Sequence, residues 1–389
     1  MLRFPRKHSW LFLRLKINMD ISLYIHIPFC KSKCLYCDFC SFSGSENLMM
    51  DYSKTLSEEI KAIEGHKVKT IFIGGGTPTY LSLEGWELIG ESIDSLNKSE
   101  DMEFSVEGNP GTFSYEKLKF LKDIGANRLS IGLQAAQNSL LKGIGRIHTF
   151  EEFLEAYSLA RAVGFDNINV DLMFGLPNQS LKDWKETLNK VEELKPEHIS
   201  AYGLIIEEGT ELFDRFKQGR LALPEEDEER AMYGYTLEFL EQKEYNQYEI
   251  SNFSKTGKEC RHNLTYWNLE EYIGCGVSAH SYLEGKRFSH GNSIEGYMDC
   301  INNKVPQGLI HVNTIKDDME EFMFMGLRKT EGISIEKFNK KFKNDIFLVY
   351  GSIINKYLEM GLLLRQDNML KLSEKGIEIS NTVMCEFIF

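Results

Sequence analysis

The chain has 389 residues, 42% hydrophobic and 26% charged, a composition that argues against a disordered chain. Its formal charge of −13, from 45 basic and 58 acidic residues, argues against a general nucleic-acid binder, because neutralising phosphates takes clustered Lys and Arg. With only 8 prolines it is no Pro-rich spacer, and no apolar run reaches the ~18 residues that a bilayer span needs.

Residues 1–18 carry Arg3, Arg6, Lys7, Arg14 and Lys16 and no acid, with Trp10, Leu11, Phe12, Leu13 and Leu15 between the charges. Three readings are open: an upstream start with Met19 as the natural beginning, a transit peptide, or an amphipathic anchor making peripheral membrane contact. We expect the first. The short apolar run, followed by Arg14 and Lys16 without a small-residue cleavage site, speaks against a secretory signal.

From there the pattern predicts strands over 22–27, 68–73, 103–107, 128–134, 167–174 and 198–205. Segments of 3.6-residue period lie between them at 52–64, 83–96, 114–124, 150–163 and 181–194. Gly65, Gly125, Gly164 and Pro196 close helices, while Pro28, Pro78, Pro110 and Pro177 follow strands. Such alternation predicts an α/β fold with a parallel, helix-covered sheet. No GxGxxG follows the first strand, so we expect an incomplete (β/α)6 barrel over 19–223. After Pro224 the acids Glu225 to Glu229 suit the positive end of a helix running to about residue 242. A connecting region, 224–309, is rich in Tyr and Gly. Residues 310–389 hold 11 basic and 12 acidic groups. Their helices end in strand-like pieces at 362–365 and 370–372 joined by 366–369, an α+β, winged-helix-like region. Its near-zero charge favours docking or a lid over DNA binding by a regulator.

Cysteines stand at positions 30, 34, 37, 40, 260, 275, 300 and 385. A tight cluster in a large chain points to a metal and a reducing compartment, hence the cytoplasm. The segment Cys30-Lys-Ser-Lys-Cys34-Leu-Tyr-Cys37 directly follows the first strand. A structural zinc site pairs two knuckles, and here there is no second one. Three thiolates at this spacing can each reach one iron of a cubane cluster, leaving the fourth iron open as a catalytic metal needs. Cys40 is either a fourth ligand or a spare thiol near the mouth of the site; we expect the spare thiol.

These residues resemble the radical S-adenosylmethionine (SAM) superfamily, whose CxxxCxxC loop carries an aromatic residue before its last cysteine, here Tyr36. More narrowly, Tyr24-Ile-His26-Ile-Pro-Phe-Cys30 resembles the oxygen-independent coproporphyrinogen III dehydrogenases and their relatives, the HemW-type haem chaperones. The resemblance extends from about Ser22 to the C-terminus. It implies a [4Fe–4S] cluster on Cys30, Cys34 and Cys37, an electron donor, and SAM bound to the fourth iron. It further implies that Gly75, Gly76 and Thr77 of Gly74-Gly-Gly-Thr-Pro78 approach the SAM amino group and that Glu107 binds ribose. Gln134, Arg146, Asp171 and Tyr24 match other pocket positions. The physical reading agrees: glycines admit close backbone approach, and carboxylates suit hydroxyls and ammonium groups. The motifs fall at C-terminal ends of predicted strands, the rim where barrel sites assemble. Taken singly, the glycine run also reads as a loop and Asp171 as an inward polar residue.

Within this family the dehydrogenases use SAM-derived radicals to decarboxylate propionates, whereas the chaperones bind haem and pass it to an acceptor protein. We expect a chaperone, with the dehydrogenase as the alternative. Dehydrogenases resemble CxxxCxxCxC, but Phe39 stands at that last position and Cys40 one residue later, a cysteine that the usual chaperone pattern lacks. Their long N-terminal arm has no counterpart in the 23 residues before Tyr24. Finally, His262-Asn263-Leu-Thr-Tyr266-Trp267 matches the HNxxYW motif of the chaperones. His262 is then a candidate axial ligand to haem iron, with Cys260, Cys275 and His280 as competitors, and Tyr266 and Trp267 could offer flat apolar surface. The plain alternative is that His262 and Asn263 cap a turn above a buried Trp267. His66, His148, His198, His290 and His311 read as solvated or structural.

Overall fold

The computed structural model describes residues 19–388 apart from Glu64; the expectations for residues 1–18 lie outside the described residues. Strands β1 (Asp20–Ile27), β2 (Lys67–Gly75), β3 (Asn97–Gly108), β4 (Arg128–Gln134), β5 (Ile168–Phe174) and β6 (His198–Gly203) pair in parallel in chain order. The run does not close on itself. On one side β6 pairs antiparallel with β8 (Asn252–Ser254), which pairs with β7 (Asn246–Glu249); on the other, β1 pairs in parallel with β9 (Tyr272–Cys275). Strands β10 (His280–Leu283), β11 (Lys286–Ser289) and β12 (Gly308–Val312) continue the sheet antiparallel. The result is the expected open (β/α)6 barrel.

Local chemistry explains the helices. Ser82, Ser114, Thr149 and Ser180 each accept a backbone N–H of the helix they precede, and Thr149 with Glu152 and Ser180 with Asp183 form capping boxes. The helix Phe150–Val163 stops at Gly164, whose φ of 96° suits a residue without Cβ. The helix Met49–Lys61 starts earlier than its sequence pattern indicates, because a 3₁₀ turn over Glu46–Leu48 hands directly into it with no capping side chain. Strand β3 also starts early, at Asn97, where Asn97 and Lys98 pair with Lys67 and Val68. The acids after Glu225 occupy the first turn of the helix Glu226–Gln242.

One apolar cluster runs from Ile21 to Ile301, so Met232, Phe239, Ile273 and Tyr297 of the connecting region pack into the barrel core. A second cluster runs from Met319 to Phe387. There the helices Ile335–Phe342 and Ile346–Glu359 stand beside a small antiparallel sheet of β13 (Ile333–Ser334), β14 (Leu363–Gln366) and β15 (Met369–Leu372). Among the described residues no helix is long and apolar enough to cross a membrane.

A buried carboxylate fastens the connecting region to the barrel. Glu59, on the helix Met49–Lys61, is sealed from solvent; it accepts from the Gly276 N–H at 2.9 Å and the Tyr297 hydroxyl at 2.6 Å, and it meets His290 Nε2 at 2.5 Å. Removing one partner of a buried polar cluster strands the others. Glu59→Ala should therefore lower unfolding stability by about 3–5 kcal/mol, read as a shifted urea midpoint.

Candidate functional site

The cysteine loop is closed at its base. Cys30 N–H donates to the Phe42 carbonyl at 2.9 Å and Phe42 N–H to the Pro28 carbonyl at 2.7 Å. Its middle is pinned by Leu35, whose N–H donates to the Ile144 carbonyl at 3.0 Å and whose carbonyl accepts from Leu212 N–H at 2.9 Å. Cys30 Sγ lies 3.6 Å from Thr77 Oγ1 and Cys37 Sγ 4.0 Å from Ser41 Oγ. Cys40 turns the other way, its Sγ 3.6 Å from the Asn292 carbonyl. Its own carbonyl receives a 2.8 Å hydrogen bond from His26 Nε2. A carbonyl only accepts, so Nε2 carries the proton and Nδ1 accepts from the Tyr24 hydroxyl at 2.9 Å. Burial lowers the His26 pKa, in keeping with this neutral ring.

Glycines bring β2 against this loop. A Cβ on Gly75 (φ 110°) would sit 2.5 Å from the His26 ring, and one on Gly76 2.8 Å from the Phe29 carbonyl oxygen. In return Gly76 N–H donates to the Ile27 carbonyl at 2.8 Å and Thr77 N–H to the Phe29 carbonyl at 2.9 Å.

The expected site residues form two adjoining groups. One lies beside the cysteine loop. Arg146 Nη1 donates to Asn109 Oδ1 at 2.6 Å, and Asn109 Nδ2 to Thr77 Oγ1 at 2.8 Å. Tyr36 bonds to Arg146. With its amide turned to satisfy both ends, Gln134 accepts from Arg146 and donates to the Asp171 carbonyl at 3.1 Å. Arg146 Nε is buried without a partner. The second group lines a cavity of about 230 Å³. Tyr24, Phe39, Phe72 and Tyr202 supply its aromatic wall, and Glu107, Asp171, Arg128, Ser130, Asn169 and Ser200 its polar part. Asp171 sits in the middle of β5, deeper than the rim position expected of it. Ser130 and Asn169 donate to its two carboxylate oxygens at 2.9 and 2.8 Å. Glu107 accepts from Gly75 N–H at 3.3 Å. Burial, reinforced by the nearby Asp171 charge, raises its pKa to about 7.

His262 is corrected. The ring is 1% exposed, and both nitrogens are engaged, Nδ1 with Thr70 Oγ1 at 2.8 Å and Nε2 with the Tyr266 hydroxyl at 2.9 Å. Burial, aided by the Arg128 charge, lowers its pKa to about 3. It stacks on Phe72 with centroids 5.2 Å apart, behind the cavity wall. A ligand to haem iron needs a free ring nitrogen facing open space, and His262 has none.

Sequence reasoning gave no role to Phe39, Phe72, Arg128, Ser130, Asn169, Ser200, Tyr202 or Asn263 in this cavity. A signal existed for several: Ser130 is two residues from Arg128, Asn169 two from Asp171 and Ser200 two from Tyr202, so each pair shares a strand face.

The residues fit an iron–sulfur cluster and SAM. Among the described residues no three His, Cys, Asp or Glu side chains converge to hold one ion, whereas thiolates that each meet a different iron need no such convergence. The unpaired Arg146 Nε and the ribose-suited carboxylates lie next to that loop.

Comparison with known proteins gives the same picture. The radical SAM superfamily pattern matches residues 24–191, and the HemN C-terminal domain pattern residues 313–379. The heme chaperone HemW of Bacillus subtilis is 40% identical over 94% of this chain and 99% of its own length. That of Lactococcus lactis is 38% identical, over 94% and 97%. Among solved structures, the coproporphyrinogen III oxidase HemN from Escherichia coli matches with a TM-score of 0.82 at 21% identity, covering 95% of this chain and 90% of that one, a likeness of fold. The chain belongs to the HemW family of the radical SAM superfamily.

Proposed function

We propose that the chain is a haem chaperone, holding a [4Fe–4S] cluster and SAM and passing haem to an acceptor protein. The observation that carries this reading is the thiol arrangement: Cys30, Cys34 and Cys37 lie on one pinned loop while Cys40 points toward Asn292. That leaves three protein thiols for the cluster, with Phe39 where a dehydrogenase-like loop has its further cysteine. The relatives described as haem chaperones, similar over nearly the whole chain, support the chaperone over the dehydrogenase alternative.

A cluster with one open iron, together with SAM and an electron donor, supplies one-electron chemistry. The chain's own residues prepare the pocket. Burial raises the Cys30 and Cys37 thiols, opposed by hydrogen bonds from Thr77 and the Phe39 N–H respectively, and metal coordination offsets that burial. Thr77, Gln134 and Arg146 would face the amino-acid end of SAM. Asp171 and Glu107 would accept from ribose hydroxyls, with Tyr24 and Phe72 against the base. Phe39 is 65% exposed and Tyr202 39% exposed at the same cavity; they would offer flat apolar surface to the haem macrocycle. All eight cysteines are unpaired, which suits a reducing compartment such as the cytoplasm.

Three measurements test this. After anaerobic reconstitution, Cys34→Ala should lack the visible iron–sulfur absorption and Cys40→Ala should retain it; loss in the Cys40 variant would make that residue a ligand. Incubation with coproporphyrinogen III, SAM and a reductant should leave the substrate unchanged, and its conversion to protoporphyrinogen would overturn the chaperone reading. The third concerns Glu107, whose pKa rises on folding from the ordinary 4.5 to about 7. The native state then binds the extra proton, so this group's contribution is neutral below pH 4.5 and destabilising above pH 7. Glu107→Gln should stabilise the ligand-free protein by on the order of 2 kcal/mol at pH 8 and leave it unchanged near pH 4.5, measured by urea unfolding at both values.

A further inference from the structure

The segment 262–267 has no task in the reading above, since His262 is sealed behind the cavity wall, yet the fold takes trouble to place it. The helix Arg261–Trp267 is held against the barrel from three strands. Glu103 on β3 accepts from the Arg261 and His262 N–H groups, both at 2.9 Å. Thr70 on β2 meets His262, and Ser22 on β1 meets Thr265 Oγ1 at 2.8 Å. These contacts fix the intervening residue, Asn263, at the cavity.

Its state differs from that of the other amide there. Asn169 is fully used: Nδ2 donates to Ser130 and Asp171, while Oδ1 accepts from Ser200 and meets His198 Nδ1. The Asn263 carboxamide has no hydrogen-bond partner among the described residues and faces a cavity whose wall includes Tyr24 and Phe72. A carboxamide presents a donor and an acceptor side by side. In SAM only the adenine base offers the matching pair on one planar edge, as when Asn reads adenine in nucleic acids. The ribose hydroxyls have carboxylates, and the amino-acid end has the Arg146 group. We propose that Asn263 contacts the adenine edge of the bound nucleoside and sets the preference for it. The proposal rests on the SAM reading above.

The test is anaerobic calorimetry on the cluster-reconstituted protein. The probes are S-adenosylhomocysteine and its analogue with hydrogen in place of the 6-amino group. Asn263→Ala should weaken S-adenosylhomocysteine about 10-fold, the scale of a lost paired contact. The analogue should bind the wild type about 10-fold more weakly than S-adenosylhomocysteine, with no further loss in the variant, because the lost contact is the same one. Cluster absorption and haem titration should be unchanged. Equal S-adenosylhomocysteine affinity in wild type and variant overturns the proposal while leaving the SAM reading intact, as does an equal loss for both ligands. Loss of haem binding with S-adenosylhomocysteine affinity retained overturns it in favour of a haem contact. Failure of the wild type to bind S-adenosylhomocysteine at all sinks the SAM reading and the proposal together. Should the alanine variant lose its cluster or fold poorly, the isosteric Asn263→Asp carries the test: it removes the donor and should show the same selective loss.

Discussion

The close approach of two backbones where β1 and β2 end fixes the geometry of everything around it. Residues 74–76 pass so near 26–29 that a single methyl group on Gly75 or Gly76 would overlap the His26 ring or the Phe29 carbonyl. The approach is what allows Gly76 and Thr77 to donate to Ile27 and Phe29. Through those bonds the cysteine loop takes its position from the sheet rather than from its own flexible sequence. His26 sits at the crossing. It touches the glycine run, holds the Cys40 carbonyl and meets the Tyr24 hydroxyl, so the thiol loop and the cavity wall share one neutral imidazole. A loop residue positioned by rigid strands is how barrel folds make accurate sites from irregular backbone.

Below that rim the barrel interior is polar, which a folded protein tolerates only when the groups answer one another. Asp171 is met by Ser130 and Asn169, and Asn169 in turn by His198 and Ser200. Two carboxylates line the same small cavity, and Arg128, 2% exposed, is the buried cation among its lining groups. Its charge favours the ionised form of both Glu107 and Asp171. Burial wins at Glu107 all the same. The ligand-free site therefore holds a carboxyl group poised near neutrality, and hydroxyl donors of a bound ribose would favour its charged form.

Much of this was legible in the sequence, for reasons that are local. Alternation of apolar residues marked β1 to β6 because inward and outward faces repeat every second residue. The cysteine spacing and the glycine run were visible because both act over a few residues. What escaped notice depends on distant partners. His262 reads as an exposed ligand in a short motif, but Thr70, 192 positions away, occupies its Nδ1. Glu103, more than 150 positions away, caps the helix that carries it. Likewise the parity that groups Arg128 with Ser130 is readable, whereas whether that face meets side chains or a cavity depends on how far the sheet curls before β8 and β9 take up its edges.

The same short helix also explains why the C-terminal region cannot be considered apart from the pocket. At its start, His262 backs Phe72 and Asn263 faces the cavity. At its end, Trp267 lies 4.5 Å under the Arg328 guanidinium, and Asn268 receives Lys329 Nζ at 2.7 Å. Tyr266 joins the two, bonding His262 and packing edge-on against Tyr272 of β9. Further along, Arg287 grips Glu321 through two hydrogen bonds of 2.9 and 2.7 Å, and Tyr282 donates to Asp318. The C-terminal region is thus seated on residues that also build the rear of the cavity. A side chain that shifts Tyr266 by even a fraction of an ångström must disturb either the His262–Phe72 stack or the seat of Arg328, because close-packed neighbours leave no slack to absorb it. That shared helix gives the motif a reason to hold its residue types together without any of them ligating iron: one position faces the ligand, one supports the wall, and one carries the adjoining region.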